Sequence, residues 1–446
     1  MDTEARATKT EAVPSQRSHR LVDASICILL LLAAIGYVAG AVSAHQALSP
    51  YDEYVYADYL FGFPDDPVVV IGEETKTEAR DLIACVGVIG YGTFGSECGD
   101  PEHSDDSLYP YGGGTGADIY TPVYFAITWA LAQPVAALTV FDEFDAARVI
   151  GGLWAGTGAA VLFLAARAWG LNRPVSVGLA LAALASPPVF WANTYLSTDA
   201  PTLLAGSVTA LMIAKITHNG ASPWWLCALL PVLVLVKVQH ILLLLLVVAW
   251  ALFVALHHAS GSVWSRLARS SILRAALVTS VLTVAAQLGW LVFRATAAAG
   301  PTIDQGLNQP LTVPALASEA TRFLGTTAQA GLSLGLTRDA VGTVLAWMCI
   351  AGVIGLVVHG GKPIGDRALA GASFIAAVLG APLLAVATYV TADVYVPLQP
   401  RYGLALLPFF LLAFGMLGPR SRWFSWSVLA FGVAAFVIAI LLPYEL

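Results

Sequence analysis

Residues 24–44 read ASICILLLLAAIGYVAGAVSA, without a single charge, and the chain then turns at once to HQALSPYDEYVYADY over residues 45–59. An apolar run of that length is long enough to cross, as a helix, a hydrocarbon core about 30 Å thick. Similar runs recur at 149–166, 175–191, 200–214, 225–236, 241–256, 275–293, 341–358, 369–390, 402–417 and 426–442. They are too long and too continuously apolar for barrel strands, so the expected fold is an all-α polytopic membrane bundle of about eleven spans. A cleaved signal peptide is the rival for the first run, with Val42-Ser43-Ala44 as its cleavage site. The run exceeds the usual apolar core of about 7–15 residues and is read as an anchor.

Composition agrees. Of 446 residues, 58% are hydrophobic and 11% charged, against about a quarter charged in a soluble domain. A formal charge of -7 leaves no basic surface for nucleic acid. The expected partners are membrane lipids and small or polymeric substrates. Cys27, Cys227 and Cys349 lie in apolar runs, whereas Cys85 and Cys98 lie in polar sequence. On an oxidising side of the membrane these two are expected to close a Gly-rich loop as a disulfide.

Residues 1–20 carry Arg6, Lys9, Arg17 and Arg20 with no apolar period, and are expected to be a disordered cytoplasmic tail ahead of one transmembrane domain, 21–446. Residues 119–141 are apolar but interrupted by Pro122, Gln133 and Pro134. If this segment lies along the membrane instead of crossing, Arg167, Arg173, Lys215, Arg266, Arg269, Arg274, Lys362, Arg367, Arg420 and Arg422 join the tail on the inner side. That satisfies the positive-inside rule, and most acidic residues then lie outside. Two large outer loops follow from it, 45–146 and 296–340. No internal repeat of fixed period is visible.

Tyr51-Asp52-Glu53 stands just beyond the first span. Adjacent carboxylates there suit deprotonation of an acceptor hydroxyl, or a divalent cation held against a phosphate head group, though no metal is named by the sequence. An acidic, aromatic interfacial belt is the plainer alternative, and Asp142-Glu143 shows how readily such a pair arises. Asp199 suits acceptor orientation or cation binding, or alternatively a helix cap. Lys237 and Arg401, at expected outer helix ends, suit a phosphate leaving group, with headgroup snorkelling as the alternative. Gln239 and His240 lie within a turn of Lys237, and Arg148 is expected to pair with Asp142 or Asp145. The Gly-rich run 112–116 lacks the lysine of a phosphate loop and reads as a hinge.

Taken in order, Tyr51-Asp52-Glu53, then Ile119-Tyr120-Thr121-Pro122-Val123-Tyr124, then Asp145-Ala146-Ala147-Arg148, then Asp199, Lys237 and Gln399-Pro400-Arg401-Tyr402 resemble the layout of the GT-C glycosyltransferases. The resemblance implies transfer of a sugar from a polyprenyl-phosphate donor to a polysaccharide, glycolipid or protein acceptor, at the outer face of the cytoplasmic membrane and with inversion. It implies that Asp52 and Glu53 are catalytic. Tyr51, Asp199, Lys237, Gln239, His240, Arg401 and Tyr402 would then bind substrate. The rival is a carrier or flippase for a lipid-linked or anionic substrate, whose expected signs are mid-span charges and paired broken helices.

Overall fold

The computed structural model describes residues 16–257, 262–303, 309–329, 331–359, 362–392 and 395–442. Among these the chain is helical and contains only isolated β-bridges. The α-helices are α1 (Gln16–Ala44), α2 (Glu53–Phe61), α3 (Thr77–Val86), α4 (Pro122–Leu138), α5 (Glu143–Ala168), α6 (Arg173–Leu184), α7 (Pro187–Asn193), α8 (Thr202–Asn219), α9 (Leu226–Val236), α10 (Ile241–His257), α11 (Val263–Arg269) and α12 (Ser271–Thr296). After these come α13 (Val313–Glu319), α14 (Leu336–Val358), α15 (Ile364–Ala392), α16 (Leu407–Leu417) and α17 (Arg422–Leu441).

Among the described residues, eight helical stretches are long and apolar enough to cross a membrane, and nine if α6 and α7, bent by 61° at residues 185–186, count as one broken span. The protein is a membrane-embedded helical bundle. The continuous crossing expected over 175–191 is thus interrupted. Pro187 and Pro188 lack the N–H groups that would continue α6, and they start α7 in a new direction. The runs at 200–214 and 225–236 form α8 and the short α9, neither of which is among the eight. Pro134 does not interrupt its segment as expected, because α4 runs through it. Of the expected basic tail, residues 16–20 belong to α1, and residues 1–15 lie outside the described residues.

Small residues let α5 act as the hub. A Cβ at Gly152 would stand 2.8 Å from Ile35 Cα, and one at Gly156 would stand 2.9 Å from Leu31 Cα, so α1 packs backbone to backbone on α5. Gly151 meets the end of α7 in the same way, 1.9 Å separating its notional Cβ from the Asn193 carbonyl oxygen. Residues 45–121 and the described parts of two later connections, 297–303 with 309–329 and 331–335, and 395–401, gather at one end of the bundle. There the Ala299 and Gly300 N–H groups donate to the Ile71 carbonyl at 2.8 and 3.1 Å. This loop end carries the candidate site.

Candidate functional site

Asp52 precedes α2 with φ 63° and ψ 13°, a left-handed conformation uncommon outside glycine. The turn sends the two neighbouring carboxylates in opposite directions. Glu53 has no exposed surface. Its Oε1 accepts from Arg148 Nε at 2.8 Å and the Leu196 N–H at 2.7 Å. Its Oε2 accepts from Arg148 Nη2 at 3.1 Å and the Ser49 N–H at 2.7 Å. These four bonds use the carboxylate's full acceptor capacity. Glu53 thus ties the loop after α1 to α5 and to the 194–201 turn. Arg148 pairs with Asp145 at 3.2 Å as expected, but its principal partner is Glu53.

Asp52 instead keeps 35% of its side-chain surface open, with Arg401 Nη2 3.3 Å from its Oδ2. Burial in the surrounding protein pushes its carboxyl above the ordinary carboxylate range, against the pull of Arg401 and Lys237. Arg401 lies in the helical turn 400–406 that leads into α16 and is itself buried. Its Nε donates to Asp199 Oδ2 at 3.0 Å, and the other oxygen of Asp199 accepts from Lys237 Nζ. Asp199 comes from the turn before α8 and Lys237 from the turn after α9. Burial alone would raise Asp199, but Lys237 and Arg401 outweigh it and hold the carboxyl below its usual value. Asp199 is thus the anchor for two cations. Each of its oxygens accepts from one of the two cations.

Arg401 Nη1 is buried and has no hydrogen-bond partner among the described residues. Lys237 donates to Asp199 and, at 3.3 Å, to Thr198 Oγ1, so one of its three N–H groups is uncommitted there. A chain of hydroxyls continues the cluster: Thr198 Oγ1 donates to Tyr56 Oη at 3.3 Å, which lies 3.3 Å from Tyr120 Oη. Sequence reasoning gave no role to Thr198 or Tyr120, and to Tyr56 only a share in sugar stacking by the tyrosines around Asp52. The signal was present for Tyr56, which lies four residues after Asp52 and so on its face, one helical turn on.

Tyr51 and Tyr402 both reach the cluster. The Arg401 guanidinium carbon stands 4.3 Å from the Tyr51 ring centre and 5.1 Å from that of Tyr402, and Lys237 Nζ is 5.4 Å from the Tyr402 ring. His240 does not join them. It has no exposed surface, with Nδ1 2.8 Å from the Leu233 carbonyl and Nε2 3.1 Å from Thr202 Oγ1, so it fastens α9 to α8. Gln239 has a buried Oε1 without a partner among the described residues.

Cys85 and Cys98 form a disulfide in the 45–121 segment. Beside it Ser96 Oγ lies 2.9 Å from His103 Nδ1, and His103 Nε2 lies 3.1 Å from Asp81 Oδ1. Tyr109 Oη occupies the same Nδ1 at 2.6 Å, and His103 has no exposed surface, so this trio fastens the loop. The glycine run is no free hinge either. The Gly113 carbonyl accepts from Arg80 Nη2 at 2.8 Å and from the Thr75 N–H at 2.9 Å. Comparisons do not supply a function: no family model matches the chain, and no curated protein matches it.

Proposed function

We propose that this protein is a glycosyltransferase of the GT-C kind, taking a sugar from a polyprenyl-phosphate carrier. The observation that carries the reading is the half-open Asp52 carboxylate set beside Arg401 and Lys237, two cations locked in place by buried Asp199. In the reaction the acceptor hydroxyl oxygen forms a bond to the anomeric carbon as the bond from that carbon to the phosphate oxygen breaks. Asp52 takes the hydroxyl proton, and the phosphate monoester leaves with the bonding electrons. The uncommitted N–H groups of Arg401 and Lys237 face growing negative charge, where fixed donors act most strongly. Attack opposite the leaving group inverts the anomeric centre.

The same reading sets the cluster at the outer face of the cytoplasmic membrane, with α4 not crossing and α8 and α9 completing eleven spans. The acceptor is a polysaccharide, a glycolipid or a protein. A divalent cation would sit against Asp52, the one cluster carboxylate with open surface, and would further neutralise the phosphate. A carrier for an anionic or lipid-linked substrate is the second reading, favoured by the 61° break between α6 and α7. Incubating purified protein with radiolabelled polyprenyl-phosphate sugars separates them. Consumption of the donor, lost in Asp52→Asn, supports the enzyme. Transbilayer movement of an intact donor by both proteins supports the carrier.

A further inference from the structure

The 309–329 segment is fastened to the strand of chain that bears Arg401. The Gln309 N–H donates to the Tyr395 carbonyl at 3.2 Å. At the end of α13, Glu319 has no exposed surface and accepts from Arg322 Nε at 3.2 Å and Nη2 at 3.0 Å. The same carboxylate accepts from Tyr395 Oη at 2.9 Å and the Leu398 N–H at 3.4 Å. One turn later Phe323 and Thr326, both without exposed surface, press on Gly403. A Cβ there would come within 2.3 Å of Thr326 Cγ2 and 2.8 Å of Phe323 Cβ. Tyr395 and Leu398 on one side and Gly403 on the other therefore bracket Arg401.

The far side of this clasp is less firmly backed. A cavity of about 450 Å³ lies between Arg322 and Gln329 of the clasp and Trp347 of α14. Packing against α14 is incomplete there, and the Glu319 carboxylate is the side-chain tie that, beside the Gln309 backbone bond, joins the clasp to residues 395–398.

We propose that Glu319 is a positioning residue for the anionic head group of the donor: it fixes the 395–403 segment so that the Arg401 guanidinium spans Asp199 and Asp52. The inference rests on the reading of Arg401 as a phosphate-binding residue. Arginine loses much rotamer freedom on binding, and a backbone already fixed lowers the entropy cost of presenting it.

The test measures binding of farnesyl phosphate, a soluble stand-in for the lipid phosphate, to full-length protein in detergent, beside thermal unfolding. Glu319→Ala is expected to weaken binding about tenfold, since small misplacements of a binding group carry penalties of that order or more. Glu319→Gln still accepts from Tyr395 and Leu398, and is expected to restore most of the affinity. Tyr395→Phe, which removes one hydrogen bond to Glu319, must shift binding in the same direction with folding intact. Unchanged affinity in Glu319→Ala, or in Tyr395→Phe if the alanine variant does not fold, overturns the inference. Equal loss in the alanine and glutamine variants overturns it too. If Arg401→Ala leaves binding unchanged, it is the phosphate reading that fails. If only Arg401→Ala weakens binding, the clasp inference alone fails.

Discussion

Asp52 sits in a backbone region that costs a non-glycine residue energy, and such strain persists where surrounding structure enforces it. The enforcement is visible in Glu53, whose four bonds fix the next residue. Asp52→Asn keeps the side chain's size but cannot accept a proton. It is expected to lower turnover about 10² to 10⁴-fold in a radiolabelled transfer assay while leaving the thermal midpoint unchanged. A general base works ionised, so activity is expected to fall as pH drops through the raised pKa of Asp52, placing the acid limb above the ordinary carboxylate range. Arg401→Gln removes a charge that pulls this pKa down, and the acid limb should move to higher pH. Glu53→Gln leaves Arg148 as a buried cation with a weakened partner, and is expected to cost about 3–5 kcal/mol in unfolding stability. A stability loss smaller in Glu53→Gln than in Asp52→Asn would reverse these assignments. The Asp-Glu pair was legible in the sequence, but its division of labour was not. Arg148 lies 95 positions from Glu53, a separation that no local pattern spans.

Helices carry the next level of control. α7 ends at Asn193, and the turn that follows it delivers Thr198 and Asp199. Because Gly151 touches the Asn193 carbonyl, Gly151→Ala is expected to push α7 off α5 and lower transfer activity, although residue 151 touches none of the charged cluster. Full activity in that variant would show that the turn is held independently of α7. In the 45–121 segment, closing a loop of 13 residues should stabilise the module by about 3 kcal/mol in the chain-entropy model. Alkylation before reduction is expected to leave Cys85 and Cys98 unlabelled, and a Cys85→Ser/Cys98→Ser variant to be cut faster by protease. Helix existence was readable because long apolar runs leave few alternatives. The break after α6 was visible as Ser186-Pro187-Pro188 yet hidden by the apolar residues on both sides.

At the scale of the whole chain, α4, α8 and α9 all lie outside the set of helices long and apolar enough to cross, and the proposed topology counts α8 and α9, but not α4, as crossings. Reporter fusions at the C-terminus are expected to be active only on the outer side, as eleven crossings from an inner N-terminus require. Cytoplasmic activity would overturn that topology. The proposed topology rests on the charge pattern of the loops, whereas Asp52, Asp199, Lys237 and Arg401 were grouped in the sequence only through the resemblance and by no local spacing. Asp52 and Arg401 are 349 positions apart, and only packing brings them together. Their meeting is also neutral, two carboxylates against two cations. A lipid phosphate that enters such a site and meets Arg401 and Lys237 tips the balanced cluster to a net negative charge, and Asp52 is the group poised to take up a proton in response. Donor binding should therefore draw protons from solution, which calorimetry in buffers of differing ionisation enthalpy would count. Acid would then favour loading of the donor and base its discharge, so that turnover peaks between the two.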